Sequence, residues 1–478
     1  MNSTLQAAPR PWGASVSHGR RLALGGLAIL AFAWPLFVLT GSQAGYLVSL
    51  AAACCTAAAL TTMRSSLVVG YLAGLMALIG PEVNGQLGNG PAPLGSLRIF
   101  DAATGMAAVT LLVLAWRRPR RSILVSWRRP GALAVLSALA VGYAALRWVM
   151  EGHRVDGYLR TDLRLIVLAA LFWFIASSCR RGGTRAILWC FVVVGVLAAA
   201  KASAIHVSGL YAIGAYDRLQ ATNLYASGQV RTILVGGDTL LILVPAVVVL
   251  LVSAERRALP RVALALAGLL CLWALGLSAT RTSVLVALGL MLVAVAAMLI
   301  LARPHLSRRV LAGGLVVTVI VLAVAMLGGA ASRLAEAEAP HVGLNFRKDE
   351  INSFLNASAT TKYLGQGLAG RFMGKNVNGK AVLAGWAHEL PVWIALKAGI
   401  FGLICASLAL AIMVRRALDA LRRGGDRVQI VAGTVTVLGL VVMSMTLDRL
   451  ALPEGILPFV VGVFLISTAA RTSTTSVT

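Results

Sequence analysis

The sequence predicts an all-α, polytopic integral membrane protein of about 12–14 transmembrane helices with one long external loop. Three observations carry that expectation. Of the 478 residues, 59% are hydrophobic and 13% charged, against about 45–50% and about 25% in ordinary globular chains, so too few solvated groups exist to cover a soluble surface. The apolar residues gather in runs approaching the roughly 17–25 that an α-helix needs to cross a hydrocarbon core. Finally, 43 Lys and Arg stand against 17 Asp and Glu, a net +26, and the bases sort into alternate connections between those runs.

Along the chain, apolar spans are expected at Leu22–Leu39, Tyr46–Leu60, Leu67–Ile79, Ala102–Trp116, Ala132–Leu146, Leu163–Ala176 and Ala186–Ala204. Seven more follow at Val235–Val252, Val262–Leu277, Val284–Leu301, Val310–Leu327, Leu390–Val414, Ile430–Leu447 and Ile456–Ala470. The third and sixth are short, compatible with tilted or re-entrant helices or with extension into polar neighbours. Residues 1–478 therefore read as one integral membrane domain with no soluble second domain.

Counting alternate connections puts 25 arginines on one side with only three acids, Glu255, Asp419 and Asp426. The remainder of the chain holds 18 bases and 14 acids. By the positive-inside rule, the 25-arginine side is cytoplasmic and both termini lie there. This also argues against nucleic-acid binding, which needs bases gathered on one soluble face. The first apolar run follows Arg20 and Arg21 and exceeds the about 7–15 residues of a signal-peptide core, so an uncleaved anchor is expected. Cys54, Cys55, Cys179, Cys190, Cys271 and Cys405 all fall within spans or near their cytoplasmic ends, which gives neither a disulfide framework nor a zinc-ligand spacing.

The cytoplasmic connections are short and basic, and no G-x-x-x-x-G-K-[ST] phosphate loop occurs, which argues against ATP-driven work. Coupled carriers usually keep ionisable groups deep in the membrane. Here the acids lie at span ends or in loops, with Asp238 nearest to an interior position. The external face is richer. It carries a connection of 59 residues from Ala331 to Glu389 and another of about thirty between Ile205 and Leu234; connections beyond about 12–15 residues are usually functional or disordered. Phe346, Ile351, Phe354 and Leu355 give part of the longer one an apolar face, as in a short helix lying on the membrane or over a cavity, the alternative being a solvated linker.

External arginines that topology does not explain are Arg98, Arg160, Arg164, Arg218, Arg231, Arg281, Arg347 and Arg371. Guanidinium forks bind phosphate oxygens bidentately, so such a set suits a lipid-linked phosphate or pyrophosphate. Arg281 sits in the polar break Ser278-Ala279-Thr280-Arg281-Thr282-Ser283 between two spans, where a charge needs a partner or a wet cavity, unless it simply snorkels from a helix end. His388 stands where the long loop meets the next span. A neutral imidazole there can take a proton from a sugar hydroxyl, with Glu389 to orient it, although a single interfacial histidine also serves structural roles.

The segment Ala387-His388-Glu389-Leu390, running on to Leu396-Lys397-Ala398-Gly399-Ile400-Phe401-Gly402-Leu403, resembles the histidine and following apolar helix of the O-antigen ligase and polymerase superfamily of bacterial envelope glycosyltransferases. Tyr363-Leu364-Gly365-Gln366-Gly367 is similar to the glycine-containing turn ahead of that histidine, and Arg347 begins a similar helix. Leu277–Thr282 is similar to the family's S-x-S-R stretch, and Arg231–Asp238, with Gly236 and Gly237 ahead of Leu243-Val244-Pro245, to the segment one span earlier. The likeness covers residues 229–403, with Leu97-Arg98-Ile99-Phe100-Asp101 as a further similar span opening. Departures are Glu389 in place of the commoner Asn, Lys397 where an acid is usual, and the missing second serine in Ser278-Ala279-Thr280.

The resemblance implies a GT-C-like membrane fold in a bacterial inner membrane. It also implies metal-independent, inverting transfer, without a cofactor, of a glycan from undecaprenyl pyrophosphate to a glycan, lipid or protein acceptor hydroxyl at the periplasmic or external face. Carried over, Arg231 and Arg281 would hold the departing pyrophosphate and His388 would activate the acceptor. Arg218, Arg347, Arg371, Glu389, Asp238 and Arg98 would be further substrate-binding positions. The competing class is a lipid-linked oligosaccharide flippase, a transporter with a basic cavity reachable from both faces; a third is an inactive assembly scaffold.

Overall fold

The computed structural model describes residues 21–30, 33, 43–63, 65–79, 99–117, 131–152, 156–177, 179, 183–208, 238–255, 257–278, 281–301, 348–356, 363–375, 381–384, 387, 389–445 and 453–472. Helices dominate them. In chain order they are α1 (Arg21–Leu30), α2 (Gln43–Met63), α3 (Ser65–Ile79), α4 (Ile99–Arg117), α5 (Ala132–Met150), α6 (Gly157–Ser177), α7 (Thr184–Ser208), α8 (Asp238–Ala254), α9 (Ala258–Ser278), α10 (Arg281–Leu301), α11 (348–355), α12 (Leu390–Arg422), α13 (Arg427–Ser444) and α14 (Pro453–Thr472). Each expected span inside the described residues coincides with one of these, because a continuous apolar run can satisfy its backbone in a membrane only as a helix. The expected span Val310–Leu327 lies outside the described residues, as do residues 31, 32 and 34–39 of the expected span Leu22–Leu39.

Six helical segments among the described residues are long and apolar enough to cross a membrane: Ala132–Met150, Thr184–Ala204, Ala258–Leu277, Ser283–Ile300, Leu390–Arg422 and Arg427–Ser444. Shorter apolar helices accompany them. Large apolar side chains point outward, Leu259 and Ile300 each 81% exposed, as suits a chain whose outer solvent is lipid. At the centre stands α8, apolar on every side, with Leu241, Ile242, Leu243, Val244, Ala246 and Val247 fully buried among α7, α9, α10 and α13. Where α13 and α14 cross, a Cβ on Gly433 would meet the Gly462 carbonyl at 2.8 Å, so small residues let the backbones approach closely.

One departure from an all-α fold lies in the long loop. Phe372–Lys375 (β1) and Ala381–Ala384 (β2) form an antiparallel hairpin with Phe372 opposite Ala384 and Lys375 opposite Ala381. The intervening residues 376–380 include Asn378-Gly379, a dipeptide suited to the positive φ of hairpin turns. The expected short helix of the loop is α11, in which Phe354 is buried and Leu355 exposed.

The ends of the bundle are set by specific contacts. At one end, Arg185 of α7 pairs with Glu255 after α8 at 3.1 Å, and Arg261 of α9 donates to the Glu255 carbonyl at 2.5 Å. Gln429 of α13 donates to the Leu465 carbonyl at 2.9 Å and to the Thr468 hydroxyl at 2.5 Å, while Asp426 caps α13 through the Gln429 amide. The starts of α6, α8, α10 and α12 fall at the opposite end, together with the folded part of the long loop.

Candidate functional site

The site is built on the start of α12. Glu389 adopts an extended backbone (φ −101°, ψ 124°) as the residue preceding the helix, Pro391 occupies the first turn where no N–H partner is required, and the Trp393 amide donates to the Glu389 carbonyl at 3.0 Å. Ala387 is fully buried and Glu389 is 8% exposed. Ala387 packs with Phe354 of α11, Phe372 of β1, and Ala395 and Leu396 of α12; the two phenylalanine rings meet edge-on at 6.5 Å. Both neighbours of position 388 are thus held in the packed part of the loop.

Nine residues after Leu390, α12 breaks. Gly399 takes φ 58° and ψ −155°, a backbone region open in practice only to glycine. A Cβ there would lie 2.3 Å from the Tyr363 carbonyl oxygen. Into the break fits the turn 363–371. Four successive amides of this turn donate to other elements: Gln366 to the Leu396 carbonyl at 2.8 Å, Gly367 to that of Lys397 at 3.0 Å, Leu368 to that of Ala144 on α5 at 3.0 Å, and Ala369 to Asp162 Oδ2 on α6 at 2.8 Å. Its carbonyls are answered in return. Tyr143 donates to Leu364 at 3.0 Å, Arg147 Nε to Gly365 at 3.1 Å, and Lys397 Nζ to Gly370 at 2.9 Å. An irregular segment can sit against membrane helices only when its backbone groups are paired in this way. Gly367, at φ 85°, lies so close to α5 that a Cβ would reach 2.2 Å from the Trp148 nitrogen.

Charge fixes the same junction. Lys397 Nζ lies 2.8 Å from Asp162 Oδ2, both side chains almost wholly buried. Asp156 caps α6, its Oδ1 accepting from the Tyr158 and Leu159 amides at 3.0 Å each, and its Oδ2 pairs with Arg371 at 3.4 Å. The Arg371 guanidinium also lies over the Tyr158 ring, 5.3 Å from its centroid, and its amide donates to Gln366 Oε1 at 2.6 Å. Tyr158 donates onward to the Leu383 carbonyl of β2 at 3.0 Å. Arg147 pairs with Glu151 one turn on along α5.

Of the catalytic and substrate-binding positions carried over from the resemblance, the structure describes the side chains of Arg371 and Glu389; Arg160 and Arg164, the other external arginines it describes, lie on α6. Arg371 is engaged with Asp156 and Tyr158 yet keeps a third of its side chain exposed, so it serves the junction first and can offer a ligand only its open edge. Arg281 opens α10 and Asp238 opens α8. The alternation of helices puts these two starts at the same end as that of α12, so three helix N-termini, each with partial positive charge, face the side that carries the loop. His388, Arg231, Arg218, Arg347 and Arg98 lie outside the described residues. Among the described residues, no three His, Cys, Asp or Glu gather as a metal site.

Sequence reasoning missed the Asp162–Lys397 pair. The signal was present, since Lys397 is the one charge in the apolar run Leu390–Val414 and a charge there demands a partner. No protein-family model matches this chain, and no curated protein matches its sequence.

Proposed function

We propose that the protein is a membrane glycosyltransferase that moves a glycan from an undecaprenyl-pyrophosphate carrier to an acceptor hydroxyl, in the manner of O-antigen ligases and polymerases. The observation that carries the reading is the docking of the glycine turn 363–371 into the Gly399 break of α12. Two segments that resemble successive motifs of that superfamily are in contact, and the residues on either side of position 388 are buried beside them. A transferase needs such a rigid frame, because reacting groups must be held close to productive geometry.

In this mechanism Arg231 and Arg281 hold the pyrophosphate and stabilise the charge that develops as the glycosidic bond to it breaks, helped by the N-terminal ends of α8 and α10. His388 accepts the proton of the acceptor hydroxyl as its oxygen attacks the anomeric carbon from the opposite face, which inverts the configuration. Arg371 lends its exposed edge to the bound glycan or phosphate. The chain sits in the bacterial inner membrane, with this site external and both termini cytoplasmic.

The test uses purified protein in liposomes with a lipid-pyrophosphate oligosaccharide. His388→Ala, Arg281→Ala and Arg231→Ala should each lose transfer by at least about 100-fold while eluting as folded protein. Full activity in all three would sink the mechanism.

A further inference from the structure

The Asp162–Lys397 pair has no part in the chemistry just described, yet it joins three elements at one point. Asp162 Oδ2 accepts from both Lys397 Nζ of α12 and the Ala369 amide of the turn, at 2.8 Å each. Lys397 also donates to the Gly370 carbonyl of that turn, at 2.9 Å. The pair therefore closes a ring from α6 to the turn to α12 and back, just before the helix loses its regular hydrogen bonding at Gly399. Lys397 is 4% exposed and Asp162 5%, so neither reaches an exposed ligand. Two helical turns of α12 separate Lys397 from Glu389, and Ala395 and Leu396 of those turns pack on Ala387. Any shift of Lys397 is thus transmitted to both neighbours of position 388.

We propose that Asp162 and Lys397 are positioning residues, a buried latch that fixes the turn 363–371 against α12 and so sets where His388 meets the acceptor. The inference rests on the transferase reading for its catalytic half; the latch itself is read by a measurement that needs no transfer. Removing one partner strands the other charge in a buried site, whereas exchanging both for neutral groups of like shape removes that penalty. Asp162→Asn with Lys397→Gln keeps an acceptor for the Ala369 amide and a donor for the Gly370 carbonyl.

The experiment compares wild type, Asp162→Asn, Lys397→Gln and the double variant in nanodiscs. Hydrogen exchange is followed in peptides covering 363–371 and 387–396, and kcat and KM are measured for a lipid-pyrophosphate oligosaccharide. Each single variant should speed exchange in both peptides by about 10-fold or more and lower kcat by about 10- to 100-fold, with donor KM within about 3-fold of wild type. The double variant should return to within about 3-fold of wild type in exchange and kcat. Coupling of that kind marks an interaction rather than two separate losses. Unchanged exchange in both single variants, or a double variant no better than the worse single, overturns the latch. Faster exchange with kcat per folded molecule unchanged overturns the positioning role and leaves a structural tie. If wild type forms no glycosidic bond, the transferase reading fails, and the exchange pattern alone still decides the latch.

Discussion

Gly399→Ala attacks the junction where the turn enters the break in α12. The native backbone, φ 58° and ψ −155°, costs a non-glycine residue about 1–3 kcal/mol. The added methyl would lie 2.3 Å from the Tyr363 carbonyl oxygen, 2.5 Å from the Leu364 carbonyl carbon and 2.8 Å from the Gly365 nitrogen. All three are backbone atoms, so no side chain can rotate away, and overpacking of this kind costs a further 1–3 kcal/mol or so. The chain is expected to escape by letting the turn leave the break. At about 2 kcal/mol, the low end of the sum, the docked-to-undocked ratio falls about 30-fold. Limited trypsin digestion in detergent reads this as faster cleavage after Arg371, with exchange rising at Gln366 to Ala369. Gly276→Ala is the control: nothing lies within 4 Å of its added Cβ, and it should stay within about 1 kcal/mol of wild type. Wild-type rates of cleavage and exchange in Gly399→Ala would refute the docking of the turn.

Other expected outcomes follow from single contacts. Gln429→Ala removes both donors that tie α13 to α14, and should lower thermal stability by about 1–3 kcal/mol; an unchanged midpoint contradicts the buried bonds. Tyr158→Phe deletes the bond to Leu383 but keeps the ring under Arg371, so exchange in β2 should rise modestly, by about 0.5–1.5 kcal/mol, while the Arg371 region holds. Replacing Cys54 and Cys55 together by Ala should leave transfer near wild type, since Cys55 is exposed, Cys54 only half-buried, and neither has a part in the proposed chemistry; a large loss would show that one of them does. In that background, Lys375→Cys should react with an impermeant thiol reagent in intact cells and Arg423→Cys only after permeabilisation, and the reverse would invert the assigned topology.

What the sequence made legible is what depends on local pattern. The start of α12 was expected at Leu390 and is found there, and the apolar run Val262–Leu277 lies within α9, because unbroken hydrophobicity and backbone pairing leave a membrane segment few choices. The apolar face around Ile351 to Leu355 likewise marked α11. What the sequence hid depends on meetings between distant segments. Asp162 reads as an acid at a helix end until Ala369, 207 positions away, is seen donating to it. The hairpin was overlooked although Asn378-Gly379 lies between its strands, because two four-residue strands leave little periodicity to read. Arg371 looked like a free cation, and its pairing with Asp156 follows from the course of the loop rather than from its composition. Lys397 stood out as a departure from the expected acid, and its burial beside Asp162 supplies the physical reason a base is tolerated there.

The most direct test of the central claim is product analysis after incubating the reconstituted protein with an undecaprenyl-pyrophosphate oligosaccharide and candidate acceptors, with His388→Ala alongside. Glycosyl transfer predicts a new glycosidic bond, seen as longer lipid-linked chains or a modified lipid or protein acceptor, and its loss in His388→Ala. Intact donor that only changes leaflet in the liposomes would contradict the account and identify a flippase.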